Sequence, residues 1–358
     1  MTKVALIGDI HVGVRNDSPV FQEYLTKCFD WTLDILSQYD IKHVIQLGDL
    51  VDRRKYLSYT TAHMMRNRFL QPLEARRIET HIIAGNHDQT YRNTHMVNAL
   101  DEMVTGRYKD IHTYTTPKLI TIDDFDFQLL PWITESNKAE SYDAIKKSRA
   151  SVLIGHLELA GFEMFRGIVT EHGDDRKLFE RFDLVLSGHY HHKSSAGNIH
   201  YLGAFAEFIW SDFNDPRGIH VFDTHTHQLE FHQNPFSIFK LLPYDDRNDK
   251  NILNKIKNID YGQYKDTYVK VVCAGRDNHF VFDLMLDNLY KAGPIDISIV
   301  EDVTSIIDHG TDDNVDETAD TSTILSTYVK SLTLPVPNDK MINYLQEVYE
   351  EAVTTEHV

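Results

Sequence analysis

VALIGDIH, residues 4–11, decides the fold: a short run of β-prone apolar residues ends in glycine, and two side chains that can bind a metal follow at once. Four later stretches repeat this arrangement. They are GDLVD (48–52), GNHD (85–88), GH (155–156) and GHYH (188–191). A glycine at a strand end lets the backbone turn sharply, and open α/β sheets bind ligands at the carboxyl ends of their strands. The five stretches together predict one site at a common sheet edge.

The polar residues of these stretches are of the types that hold transition metals. They offer carboxylate, amide and imidazole groups but no thiolate, which favours Mn, Fe or Zn over an iron–sulfur cluster or structural zinc. The expected ligands are Asp9, His11, Asp49, Asn86, His156, His189 and His191. In GDIH and GHYH the ligands stand at i and i+2, so in extended backbone both side chains would chelate one ion. A carboxylate such as Asp49 can bridge two cations, which predicts a site for two divalent metal ions.

The first 230 residues alternate predicted strands and helices, which indicates an α/β fold. A helix with apolar residues between Phe21 and Tyr39 separates strands at residues 4–9 and 43–47, and this order implies a parallel βαβ unit. Further buried strands are predicted at residues 80–84, 125–130, 151–154 and 184–187. We therefore assign residues 1–230 to a catalytic domain.

The last third of the chain differs in character. A strand, a helix and a strand are predicted at 268–273, 280–291 and 295–300, and residues 231–300 are assigned to a small α/β capping domain. Residues 301–320 carry eight acidic side chains and no Lys or Arg, so 301–321 is predicted to be a solvated linker. Residues 322–358 contain two short amphipathic helical patterns, with Pro335 and Pro337 between them. These helices either fold back on the chain or dock a partner.

Composition points to a globular cytoplasmic protein. The 358 residues are 42% hydrophobic, enough for a substantial core, and no apolar run is long enough to span a membrane. Two cysteines provide no disulfide framework. The net charge of −18 opposes binding to nucleic acid, but two bound cations would offset it locally.

Residues 53–77 form a locally cationic segment in this acidic chain. Seven Arg and Lys side chains are interleaved there with methionine, leucine and aromatic residues. The cations either contact DNA phosphates or form the solvated face of a core helix. The apolar residues serve either a subunit interface or an ordinary core.

The ordered set Asp-x-His, Gly-Asp-x-x-Asp, Gly-Asn-His-Asp, Gly-His and Gly-His-x-His resembles the calcineurin-like metallophosphoesterase superfamily, over roughly residues 1–225. Within it, the chain resembles the SbcD-type DNA repair nuclease subunits, including the recombination endonuclease subunits of large tailed phages. GDIHVG (8–13), GNHD, GHYH and NDPRG (214–218) carry this resemblance. GDLVDRR (48–54) is equally close to the GDxVDRG of protein phosphatases, so that motif does not separate the two activities.

The resemblance implies a β-sandwich flanked by helices, a capping domain and a C-terminal helical hairpin. It places one metal between Asp9, His11, Asp49 and His191, and the other between Asp49, Asn86, His156 and His189. It makes His87 the catalytic histidine, with Asp88 orienting it or a ligand, while Arg53 is expected to contact phosphate.

The resemblance also implies an activity and partners. The activity is Mn²⁺-dependent cleavage of DNA, as an exonuclease on duplex ends and an endonuclease on single strands or hairpins. The partners are an SMC-like ABC ATPase, held by the C-terminal helices, and a second copy of the chain, held by helices within residues 55–78. The alternatives are a protein or small-molecule phosphoesterase with the same metals, and a binding module with a vestigial site.

Overall fold

The computed structural model of this chain describes residues 2–165, 168–170, 172–247, 249–301 and 340–342. The predicted acidic linker and C-terminal hairpin lie outside the described residues, apart from Glu301 and residues 340–342. Within the described ranges, no helix is both long and apolar enough to cross a membrane. Cys28 and Cys273 are both free thiols and both buried, as expected from the cysteine count.

Two six-stranded sheets form the larger part of the fold. The strands of the first sheet are, in spatial order, Leu229–Gln233, Gly218–Asp223, Lys3–Ile7, His43–Gln46, Glu79–Ile83 and Ile111–Tyr114. Those of the second sheet are Ser194–Ala196, Ile199–Tyr201, Leu184–Gly188, Val152–His156, Phe125–Leu130 and Lys118–Ile122. The last four strands of the first sheet are mutually parallel, which confirms the predicted βαβ unit.

The two sheets pack face to face, because alternate residues of their strands point into one shared apolar core. Leu6 and Ile45 of the first sheet meet Phe127 and Ile154 of the second in this core. A second core covers the other face of the first sheet, where helical residues such as Phe29 pack. The predicted sandwich flanked by helices is therefore confirmed.

Among the described residues the longest helix is Pro19–Gln38, which begins with proline at its first position, where the missing N–H costs no hydrogen bond. Its buried residues recur at helical spacing and face the first sheet. In the described part of the chain, further α-helical segments are Tyr59–Met64, Gln71–Ala75, Ala99–Met103, Lys138–Lys147, Ile252–Lys257 and His279–Ala292. The short turn Val14–Asp17 has left-handed backbone at Arg15 and Asn16. A π-helical turn spans Met65–Leu70, and 3₁₀ turns span Arg176–Phe179, Trp210–Asp212 and Tyr261–Tyr264. Two small hairpins pair Gln89–Tyr91 with Thr94–Asn98 and Glu163–Phe165 with Ile168–Val169.

A third sheet follows the sandwich. It contains the parallel strands Phe239–Asp245, Tyr268–Gly275 and Asp296–Val300, which pack with helix His279–Ala292 around a core of their own. The sequence predicted the last two strands and the helix but missed Phe239–Asp245, because Pro243 interrupts its pattern. A domain boundary at residue 230 would cut through strand Leu229–Gln233 of the first sheet.

Candidate metal centre

Five parallel strands end at one place, and each is followed by predicted ligands. Three are neighbours in the first sheet and two are neighbours in the second. The loops that follow them are joined by backbone hydrogen bonds, since the N–H groups of Ile10 and His11 each donate to the Asp49 carbonyl at 3.0 Å. The two sheets are joined here too, because the His189 N–H lies 3.0 Å from Oδ1 of Asp9. The predicted common edge is therefore formed by both sheets of the sandwich.

The glycines of the five motifs mainly allow close approach of neighbouring backbone and side chains, and few of them are needed for a sharp backbone turn. Of the five, only Gly48 has a positive φ, of 95°. At Gly85 a side chain would collide with the backbone and carboxylate of Asp49. The left-handed backbone lies instead at three ligands, Asp49 (φ 54°), His11 (φ 49°) and His189 (φ 90°). Backbone of this kind is costly for non-glycine residues and is concentrated at functional sites.

Asp49 lies at the middle of the candidate site. Its Oδ2 is 3.4 Å from Nε2 of His156 and 3.7 Å from Nε2 of His11. Ligand atoms of Asp49 lie within 4.8 Å of those of Asp9 and His11 in one group, and of those of His156 and His189 in another. One carboxylate shared by two groups of metal-binding atoms is the arrangement expected of a bridging ligand.

The ligands of GDIH and GHYH do not adopt the extended backbone assumed from the sequence. His189 faces the second group, with Nδ1 3.1 Å from the Asn86 side-chain oxygen. His191 faces the first group, with Nε2 3.1 Å from Nε2 of His11. The positive φ of His189 turns the chain between the two histidines. The prediction that His189 and His191 chelate one ion is therefore wrong, while their assignment to different ions agrees with this geometry.

Neighbouring groups fix which ring nitrogen each imidazole presents to the centre. Nδ1 of His156 lies 2.7 Å from the Leu47 carbonyl, which leaves Nε2 directed at Asn86, 2.9 Å away. Nδ1 of His11 lies 3.4 Å from the Asp52 carboxylate, so its Nε2 faces the centre. A histidine held at one nitrogen by a carboxylate or carbonyl is oriented to bind metal with the other. Asp52, the last residue of the GDLVD motif, has this role for His11.

His87 lies beside the first group, with its ring centroid 4.8 Å from that of His11. Its Nδ1 is 2.6 Å from the Asp52 carbonyl, and its N–H donates to Oδ1 of Asp49 at 2.8 Å. These contacts leave Nε2 to face a substrate. The predicted orienting contact from Asp88 to His87 is not what the structure shows. Asp88 instead accepts hydrogen bonds from the backbone of Gly85 and Val51, at 2.8 and 3.1 Å, and so holds two ligand loops together.

The electrostatics of the centre favour cations. The pKa of Asp49 lies well below its usual range, because His156 and His87 outweigh the effect of burial. Burial alone would lower the pKa of His11, but its contacts with Asp52 and Asp49 raise it to about 9. Burial holds the pKa of His189 well below its usual range, so this imidazole keeps the lone pair that a metal needs. The raised pKa of His11 reflects the negative charge of the surrounding carboxylates.

Arg53 lies at the rim and contacts its own chain. Its guanidinium donates to the Asn16 side chain, lies 3.7 Å from Asp17 and stacks 4.8 Å from the Tyr56 ring centroid. In the cationic segment that follows, the methionines and Phe69 are buried in the core of the chain itself. The structure thus uses these apolar residues for packing.

An ionic network behind His191 was not predicted, although its residues belong to NDPRG and the turn before it. Arg217 contacts Asp212 at 2.6 Å and Asp215 at 3.0 Å, and it donates to the carbonyl of His191. All three charged side chains are buried. Charged residues separated by two or three positions are common on surfaces, so their spacing alone could not indicate a buried network.

Comparison with known proteins agrees with this geometry. The chain is similar to exonuclease subunit 1 of Enterobacteria phage T4, with 28% identity over 353 residues, covering 98% of this chain and 99% of that protein. It is also similar to the SbcD component of the SbcCD nuclease of Staphylococcus saprophyticus, with 25% identity over 39% of this chain and 44% of that protein. For the same component in Staphylococcus epidermidis the identity is 27%, over 41% and 46%. The family model for calcineurin-like phosphoesterases matches residues 2–193, more than half of the chain. This protein therefore belongs to the calcineurin-like phosphoesterase family.

Proposed function

We propose that this protein is a metal-dependent DNA nuclease that hydrolyses phosphodiester bonds. The central observation is Asp49, whose carboxylate lies between two groups of buried imidazole and carboxylate ligands. The similarity to a phage exonuclease subunit over nearly the whole length of both chains favours DNA over a phosphoprotein as the substrate.

The donor atoms fit two divalent cations, of which Mn²⁺ is the proposed species because the ligands are carboxylate, amide and imidazole groups. Asp9, His11, Asp49 and His191 would hold one ion, and Asp49, Asn86, His156 and His189 the other. When bound, two such cations neutralise phosphate oxygens and activate water. Ligand-to-ligand distances of 2.9 to 3.7 Å around Asp49 and Asn86 suit atoms that share an ion.

His87 is the residue that we assign to proton transfer. The Asp52 carbonyl fixes its Nδ1, so Nε2 is the nitrogen left to contact a bound phosphodiester. An imidazole in this place can donate a proton to the leaving oxygen or stabilise its charge. Asp88 assists indirectly by bracing the loops of Val51 and Gly85.

Individual cationic side chains beside the centre could contact phosphate, although the surroundings are of mixed charge. Arg92 and Lys138 line a cavity that also reaches His156 and Trp132, together with the acidic Glu135, Glu158 and Asp174. Arg53 directly follows Asp52, whose carbonyl contacts His87. Such side chains would contact phosphates of a bound strand.

We further propose two protein partners. Residues 322–358, with their two amphipathic patterns, would dock an SMC-like ABC ATPase. A second copy of the chain would bind near the start of the 55–78 segment. The exposed rings of Tyr56 and Tyr59, 62% and 97% accessible, support this surface, whereas the buried Met64 and Met65 do not.

The test is a substrate panel. The purified chain is incubated with Mn²⁺ and labelled linear duplex, single-stranded or hairpin DNA, and in parallel with a phosphoserine peptide. We expect cleavage of DNA and its loss on chelation. Hydrolysis of the peptide with intact DNA would establish the alternative function, a protein phosphoesterase.

A further inference from the structure

Four potential metal ligands converge at the opposite end of the first sheet. They come from three neighbouring parallel strands and are His43, Glu79, His81 and His112. The register places His43 directly across from Glu79, and His81 directly across from His112. All four therefore project from one face of the sheet, because side chains alternate along a strand.

Glu79 is the centre of this cluster. Its Oε2 lies 3.3 Å from Nδ1 of His43, and its Oε1 lies 3.7 Å from Nε2 of His81 and 3.8 Å from Nε2 of His112. Two of these distances exceed the usual hydrogen-bond range. Ligands that share a tetrahedral zinc ion at 2.0 to 2.2 Å stand about 3.3 to 3.6 Å apart, close to the spacing between Glu79 and each histidine. No three of the four side chains place their ligand atoms within 4.8 Å of one another, so side-chain rotation must bring the histidines together around an ion.

His81 is preorganised to bind a cation. Its ring is 4% exposed, and its Nδ1 lies 2.8 Å from the Tyr114 hydroxyl. The other nitrogen, Nε2, points at Glu79 and has no hydrogen-bond partner, and neither has Nδ1 of His43. Burial holds the pKa of His81 at about 3, so its ring is neutral at physiological pH. Buried polar atoms without a partner are rare and indicate a missing ion or water.

The cluster is open enough for an ion to enter and distinct from the dinuclear centre. The side chains of Glu79 and His112 are 45% and 44% exposed, so both can rotate to complete the coordination. His81 lies inside strand Glu79–Ile83, whereas Asn86 lies in the loop after that strand ends.

We propose that His43, Glu79, His81 and His112 form a third metal site, which binds Zn²⁺ or a similar divalent transition metal. Three imidazoles and one carboxylate are a ligand set that zinc accepts. The ion ties together the strands His43–Gln46, Glu79–Ile83 and Ile111–Tyr114 at the end away from the catalytic loops. Its effect is on stability and not on chemistry.

Metal counting on the full chain tests this site. The protein is saturated with Mn²⁺, titrated with Zn²⁺ and freed of excess metal, and total metal per chain is measured by mass spectrometry. The variants are Glu79→Gln, which keeps the side-chain shape, and His112→Ala, at an exposed position. His279→Ala removes an exposed histidine elsewhere and is the matched control.

We expect three metal ions per chain for the wild type and the control but two for both variants, with zinc affinity at the third site at least about 10-fold lower. Zinc should also raise the melting temperature of the wild type and of the control only. Mn²⁺-dependent nuclease activity should be unchanged in His112→Ala. A wild type that holds only two ions, or variants that keep a third, would overturn the proposal without affecting the proposed function.

Discussion

Nε2 of His11 and Nε2 of His191 face each other at 3.1 Å, although the two residues are 180 positions apart. Two imidazole nitrogens this close require either a proton on one of them or a cation beside both. His11 has its other nitrogen directed at Asp52, and Arg217 donates to the His191 carbonyl. Contacts on the far side of each histidine therefore fix the positions of both rings, as expected of two ligands of one ion.

Asp49→Ala is expected to abolish nuclease activity and to lower metal content at both sites. The reason is that its carboxylate approaches both ligand groups and accepts the hydrogen bond from the His87 N–H. Metal analysis and DNA cleavage should be measured together, with Asp34→Ala on the exposed face of a helix as the control. Two ions retained in Asp49→Ala would remove Asp49 from the bridging role.

His87→Ala is expected to keep both metals and DNA binding but to reduce the cleavage rate by at least about 10²-fold, the usual contribution of a positioned acid or base. Single-turnover kinetics and metal content separate these effects. If the variant loses an ion, His87 is a ligand, together with His11 and Asp52, whose ligand atoms lie within 4.8 Å of its own.

Arg217→Met is expected to lower the free energy of unfolding by about 3–5 kcal/mol, because it leaves buried carboxylates without their partner. Metal affinity should fall as well, since Arg217 holds the backbone of His191. Arg149→Met, which breaks an exposed pair with Asp126, is the matched control and should change little. Denaturant unfolding gives the free energy of unfolding of both variants. Equal losses in Arg217→Met and Arg149→Met would show that burial does not make the Arg217 ion pairs more stabilising than an exposed pair.

His220 should make the fold sensitive to acid. Burial, with help from nearby Lys193, lowers the pKa of His220 to about 3. The His220 side chain is therefore protonated below about pH 6.5 in the unfolded chain, but only below about pH 3 in the folded chain. His220 therefore has no effect on the free energy of unfolding above pH 6.5. Below pH 6.5 it lowers the free energy of unfolding by up to about 1.4 kcal/mol per pH unit.

The measurement for His220 is denaturant unfolding between pH 7 and pH 4 with a chelator present, so that metal release does not contribute. His220→Phe should have a shallower decline than the wild type. Parallel curves for the two proteins would contradict the assignment of this acid sensitivity to His220.

Deletion of the residues after Thr321 should leave a folded nuclease that still degrades simple DNA ends with Mn²⁺ but no longer co-purifies with its ATPase. Short helices are marginal in water, so their apolar faces are useful only against a complementary surface. Co-purification and thermal melting are the two measurements. A sharply lower melting temperature with aggregation would mean that the helices pack on the chain itself.

Local patterns predicted the five strands that lead into the candidate site. Each contains short apolar stretches with a glycine at or just beyond its end, so neighbouring residues carry most of the signal. The strands Ile111–Tyr114 and Gly218–Asp223 of the first sheet lack this combination and were not predicted. Strand Phe239–Asp245 was not predicted, because Pro243 is a residue that usually ends a strand. Its pairing with Tyr268–Gly275 depends on contacts distant in the chain.

By itself, the sequence determined the α/β class, the strand ends and the residue types of a metal centre, because these depend on short-range periodicity and on side-chain chemistry. Only the tertiary structure decided that the chain turns at His189 and is not extended there, that Asp88 braces loops, and that Arg217 is buried behind His191. It alone also decided that His43, His81 and His112 meet around Glu79. Those relationships depend on backbone torsion at single residues and on the register between strands, and neither quantity is encoded in a local pattern of residues.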